Sequence, residues 1–176
     1  LQLSNVSNPH FSEEIYFDVI RKKTAALFAA CTKSAALSVN ASDEEAEFSR
    51  LFGEYIGICF QIKDDIFDYF ESKEIGKPTG NDMLEGKLTL PVLYALNSTN
   101  STWAQEIAVK VKEGIATPDE IGRLVDFTKC NGGIEYAVKM MELYKGKALD
   151  LLHSLPPSDV CTALEAYLDY VVDRDK

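Results

Sequence analysis

Residues 60–80 read FQIKDDIFDYFESKEIGKPTG. Asp64, Asp65 and Asp68 stand inside an apolar helical pattern, and a stretch bearing lysines and glycines follows. At about 100° per residue, Asp64 and Asp68 share one helix face and Asp65 sits at its edge. Gln61 lies one turn earlier on that stripe, and Gly57 and Gly53 extend it backwards. The other faces carry Phe52, Ile56, Ile58, Phe60, Ile62, Ile66, Phe67 and Tyr69. A helix apolar on most sides is buried, and carboxylates in such a place need cations. Lys63 points away from the stripe, so no partner on the same helix serves. A hard divalent cation would: Mg²⁺ takes one or two carboxylates and leaves its other positions to water and phosphate oxygens. The plainer alternative is an acidic helix end in solvent, although the helix dipole disfavours carboxylates in the second half of a helix. Gly53 and Gly57 admit two readings as well. They let another helix pack closely, or they open a groove for an apolar ligand tail.

Working outward, capping signals mark the helices. Ser12, with Glu13 and Glu14 after it, starts a helix reaching about Val39. Its apolar period runs through Ile15, Tyr16, Val19, Ala26, Leu27 and Ala30, with Lys23 in the middle of that face and Thr24 at its edge. Ser42 and Glu45 form a capping box that opens the second helix, from about Asp43 to Phe70. Residues 71–87 hold Gly76, Pro78, Gly80 and Gly86 and read as a loop long enough to be functional. A short helix from about Leu88 to Leu96 carries Pro91 in its first turn, and residues 97–101 make a polar turn. Thr117-Pro118-Asp119-Glu120 starts another helix, which stops at Asn131-Gly132-Gly133. One more runs from Ile134 to His153, and Pro156-Pro157-Ser158 opens the last. No stretch alternates with period two for long, so the expected fold is all-α.

The chain has 176 residues, one ordinary domain, with 46% hydrophobic residues for a core. A net charge of −10 argues against a nucleic-acid partner. Cys31, Cys59, Cys130 and Cys161 show no metal-type spacing and read as reduced thiols, which favours a cytoplasmic setting. No apolar run is long enough for a membrane span, and nothing resembles a signal peptide. The chain begins at Leu1 without an initiator Met and reads as a piece of a longer protein.

The lysines suggest an anion. Lys77 follows Gly76 and Lys87 follows Gly86, flanking Asp82. Glycines let backbone and ammonium groups approach a phosphate closely, and Lys87 precedes a helix N-terminus. Lys23 either snorkels to solvent or reaches a diphosphate opposite the carboxylates.

These residues resemble a known family. FQIKDDIFDY followed by GKPTGNDMLEGKLTLP looks like the second aspartate-rich region of trans-isoprenyl diphosphate synthases, or polyprenyl synthetases. RKKTAALF looks like that family's Lys-Thr segment, and VVDRDK like its basic C-terminal ends. The resemblance implies an all-α isoprenoid-synthase helical bundle. It implies that Asp64, Asp65 and Asp68 bind Mg²⁺, that Lys23, Lys77 and Lys87 hold the allylic diphosphate, and that Thr24 and Gln61 line the reaction centre with Lys23. It also implies isopentenyl diphosphate as the second substrate, and a homodimer. In the family the allylic C–O bond ionises, the double bond of isopentenyl diphosphate attacks the cation, and a proton leaves.

The family's earlier DDxxD, its arginine pair and its Gly-Lys segment are absent, so residues 1–176 match only the C-terminal half of a single polyprenyl synthetase domain, without its N-terminal helices. Two alternatives stay in view: a non-catalytic helical subunit of a heteromeric synthase, and a class I terpene cyclase. The lysine loop and intact aspartates favour the synthase. Residues 1–176, purified alone, should give no Mg²⁺-dependent prenyl transfer; clear turnover would refute the reading of half a catalytic domain.

Overall fold

The computed structural model describes residues 12–70 and 79–174, and the described chain is helical, with no strand among its residues. The helices are α1 (Glu13–Ile20), α2 (Ala26–Ser38), α3 (Asp43–Phe67), α4 (Asn81–Leu84), α5 (Leu90–Ser98), α6 (Thr102–Glu113), α7 (Pro118–Cys130), α8 (Gly133–His153) and α9 (Asp159–Asp173), and a π-helical turn, Arg21–Ala25, joins α1 to α2. Most boundaries follow from capping chemistry. The Ile15 N–H donates to Ser12 Oγ at 3.3 Å. Ser42 and Glu45 exchange backbone and side-chain bonds of 2.8 and 3.3 Å. Thr117 and Glu120 close a full capping box, and Ser158 Oγ accepts the Cys161 N–H at 3.2 Å. Each such cap stabilises a helix by about 1 kcal/mol.

Three expectations need correction. The stretch 71–87 is not loop throughout, because α4 forms a single turn within it; residues 71–78 lie outside the described residues. Residues 102–113, to which the capping argument assigns no element, form α6, closed by Gly114 at φ 71°. The third is the face of the first helix. Ala26, Leu27 and Ala30 are exposed, Leu27 at 67%. Tyr16 and Ile20 are buried as expected, but from the turn onward Ala25 and Ala29 are buried in place of Ala26 and Ala30. The spacing of the four buried residues is four, five, four: the Ala26 N–H reaches the Arg21 carbonyl five residues back. One extra residue in the turn rotates everything after it by about 100°. A strict 3.6-residue period cannot anticipate that.

The chain divides into two compact units. The first, residues 12–19 and 64–138, has a core of Tyr69, Met83, Val92, Leu96, Ile107, Val111, Ile121 and Leu124 from α4 to α7 and the turn after α3. Each large side chain fully buried there contributes about 1.5–3 kcal/mol. The Tyr136 ring stacks on Tyr94 with centroids 4.1 Å apart and donates its hydroxyl to Glu13 at 2.7 Å.

The second unit, residues 20–63 and 139–174, packs the π turn and α2 onto α3 through glycine. A methyl added at Gly57 would sit 2.5 Å from Ala25 Cα, and one at Gly53 would sit 2.6 Å from the Phe28 carbonyl oxygen. Of the two readings of these glycines, close helix packing is therefore the correct one. Phe28 and Phe60 pack with ring centroids 5.5 Å apart. Arg174 lies over Phe60 at 4.0 Å and donates to its carbonyl at 3.1 Å, tying the end of α9 to α3. All four cysteines are free, but only Cys59 is buried, and burial pushes its thiol up to about 12.

Gly57→Ala should destabilise the protein by about 1–3 kcal/mol in chemical denaturation, because the added methyl meets backbone. Gly146→Ala, at a helical position with open space around it, should be neutral or stabilising by up to about 1 kcal/mol.

Candidate functional site

The end of α3 carries Asp64 and Asp65, and Asp68 follows in the turn just beyond it. The three carboxylates meet three different surroundings, not one buried stripe. Asp64 is exposed, Asp68 is half-buried, and Asp65 is 4% exposed. Asp65 Oδ2 accepts the Tyr16 hydroxyl at 2.6 Å. Burial first, and the Asp65 charge second, push the Tyr16 phenol well above its ordinary value. Asp68 serves as a cap: Oδ1 accepts the Asn81 N–H and Oδ2 the Asp82 N–H, both at 3.0 Å. Its backbone carbonyl accepts the Gly80 N–H at 2.8 Å. Gly80 itself is in the left-handed region at φ 78°, which a side chain would resist. One residue thereby pins the start of α4, the turn that leads to Lys87. Behind it Tyr69 is fully buried, its hydroxyl 3.4 Å from Thr89 Oγ1.

Lys87 lies in this first unit and is half-buried. Its ammonium pairs with Glu85 and, at 3.7 Å, with Asp82 Oδ1. The Glu85 bond, chiefly, raises its pKa. Lys87 is thus three residues before α5 and held by acids, rather than at the helix N-terminus itself. Lys77 lies outside the described residues.

Lys23, Thr24 and Gln61 belong to the second unit. Lys23 is exposed, because the π turn swings it off the apolar face on which the 3.6-residue period puts it. Thr24 Oγ1 donates to Gln61 Oε1 at 2.6 Å, so these two expected residues do come together. π turns cost regular hydrogen bonding and are common at functional sites. The residue that sequence reasoning missed is Tyr16. It counted there as one member of an apolar face, yet a buried Tyr hydroxyl needs a partner, and a carboxylate in an apolar helix needs a donor.

Among the described residues, no three His, Cys, Asp or Glu side chains form a group that could by itself hold a metal ion. The donors suit an ion that takes fewer protein ligands. Asp64 is exposed, and each Asp68 oxygen spends only one acceptor position on its N–H bond. Mg²⁺ asks for one or two carboxylates and fills the rest with water and phosphate oxygens, so the residues fit it.

The described residues are helical, with acidic residues at the end of α3 and Lys87 a few residues beyond α4. The polyprenyl synthetase family model matches residues 1–127. The chain is 32% identical to the octaprenyl diphosphate synthase of Escherichia coli, with 100% of this chain and 54% of that protein covered. It is 73% identical to a geranylgeranyl pyrophosphate synthase of Bacteroides thetaiotaomicron, whose crystal structure superposes with a TM-score of 0.95 over 98% of this chain and 57% of the other. A polyprenyl synthase of Caulobacter crescentus, crystallised with calcium and isoprenyl diphosphate, matches at 31% identity and a TM-score of 0.87, covering 98% of this chain and 53% of that one. The chain belongs to the polyprenyl synthetase family. It spans about half the length of the curated relatives it matches.

Asp68→Ala removes both side-chain acceptors from α4 and should cost about 0.5–2 kcal/mol locally. Amide hydrogen exchange should then quicken at Asn81 and Asp82. Unchanged exchange would mean that the cap does not hold this segment.

Proposed function

We propose that the chain is the C-terminal half of the catalytic domain of a Mg²⁺-dependent trans-prenyltransferase, which condenses isopentenyl diphosphate with an allylic diphosphate into a longer polyprenyl diphosphate. The observation that carries this reading is Asp68. Its carboxylate binds the N–H groups of Asn81 and Asp82 and so keeps the Lys87 segment beside the aspartates of α3. Acidic groups for a metal and a basic group for a phosphate are then held by one interaction.

In this reading Asp64, Asp65 and Asp68 supply the metal's carboxylates. Lys23, Lys77 and Lys87 hold the allylic diphosphate, and Lys87 must exchange its Glu85 and Asp82 partners for phosphate oxygens. The exchange is favoured because a diphosphate concentrates more negative charge than either partner. Thr24 and Gln61, bonded to each other, keep one defined orientation and so present fixed dipoles to the reacting allylic group. Bound Mg²⁺ neutralises charge building on the leaving diphosphate. The family resemblance supports the substrate pair, and the isoprenyl diphosphate bound by the Caulobacter relative supports the ligand class. A homodimer and a cytoplasmic setting belong to the same reading; four free cysteines support the latter.

The full-length protein should incorporate isopentenyl diphosphate into a longer product only with a divalent cation present. Asp64→Ala should lower kcat by about 10²-fold or more. Absence of incorporation by the wild-type full-length protein, across allylic primers of several lengths, overturns the proposal.

A further inference from the structure

Asp65 is the one carboxylate of the three that the interior encloses, and its neighbour Tyr16 is itself only 7% exposed. The Tyr16 hydroxyl has a single proton, donated to Asp65 Oδ2 at 2.6 Å. That length is typical of a hydroxyl bonded to an ionised acceptor, among the stronger hydrogen bonds available. The donor has little freedom to wander. The Tyr16 ring packs edge-on against Phe17, with centroids 5.3 Å apart and planes 76° apart, and α1 is anchored nearby by the Tyr136 bond to Glu13.

A carboxylate has two oxygens and about four acceptor positions. The phenol occupies one of those positions and stops the group's rotation. Donors of this kind, behind metal-bound carboxylates, typically change metal affinity by about 10–100-fold when removed. We propose that Tyr16 is a positioning residue for the metal site: its hydroxyl fixes the Asp65 carboxylate in the orientation used to hold a divalent cation. This rests on the reading of Asp64, Asp65 and Asp68 as metal carboxylates.

The test uses the full-length protein, Mn²⁺ as the ion and inorganic pyrophosphate as the anion, with free Mn²⁺ followed by electron paramagnetic resonance. Tyr16→Phe should weaken Mn²⁺ binding about tenfold or more, and Asp65→Asn should weaken it at least as much. Because Tyr16 acts through Asp65, the double variant should bind no more weakly than Asp65→Asn. A Tyr16→Phe protein with a lowered melting temperature and wild-type Mn²⁺ affinity makes the bond merely structural and overturns the proposal. Unchanged affinity in Asp65→Asn overturns the metal reading of that residue itself, a separate result. The wild type offers a readout that needs no variant. In crystals with Mg²⁺ and pyrophosphate the Tyr16 hydroxyl should remain within hydrogen-bond distance of Asp65, and a hydroxyl that has left it overturns the proposal.

Discussion

Negative charge concentrated at the end of a helix is the constraint on which the rest depends. Asp64, Asp65 and Asp68 follow one another within five residues, where the helix dipole already opposes them. A carboxylate withdrawn from water must be given a donor or a cation. The protein answers differently at each position. Solvent reaches Asp64. Tyr16 donates to Asp65, and two backbone N–H groups donate to Asp68. The acidic end therefore organises other parts of the first unit: it fixes one face of α1 and the start of α4. The bonds that satisfy Asp68 are also the ones that hold the start of α4, the turn that leads to Lys87.

The second unit shows a different economy. Gly57 and Gly53 let the π turn and α2 approach α3 at backbone distance. The π turn inserts one residue, so that Ala25 and Ala29 turn inward while Lys23 turns out and Thr24 meets Gln61. Irregular backbone of this kind is retained where the altered side-chain directions are useful. Here it releases a lysine from an apolar face without a break in the helix.

Much of the architecture was legible from short-range chemistry. Ser12, Ser42, Thr117 and Ser158 begin helices because an orphan N–H takes the nearest acceptor, a preference confined to three or four residues. The aspartate set is a candidate from residue type and order, whereas Thr24 and Gln61 enter as site residues only through the family resemblance, which names no bond between them. The burial of each aspartate could not. Helical periodicity gave Asp64 and Asp68 one face and Asp65 the edge, yet Asp65 is the enclosed one, since what covers it is Tyr16 from a helix 49 residues away in sequence. The single turn of α4 was equally invisible, because its cap is Asp68, far outside the local window.

By itself, then, the amino-acid order determined where the side-chain-capped helices begin, that no strand pattern competes, and which residues carry charge beside apolar surface. Those properties depend on neighbours a few bonds away. Only the tertiary structure decided which carboxylate is buried, which way Lys23 faces, and what Gly53 and Gly57 are for. Each of these turns on contacts between distant segments, and on one extra residue in a turn whose 100° rotation no average period contains.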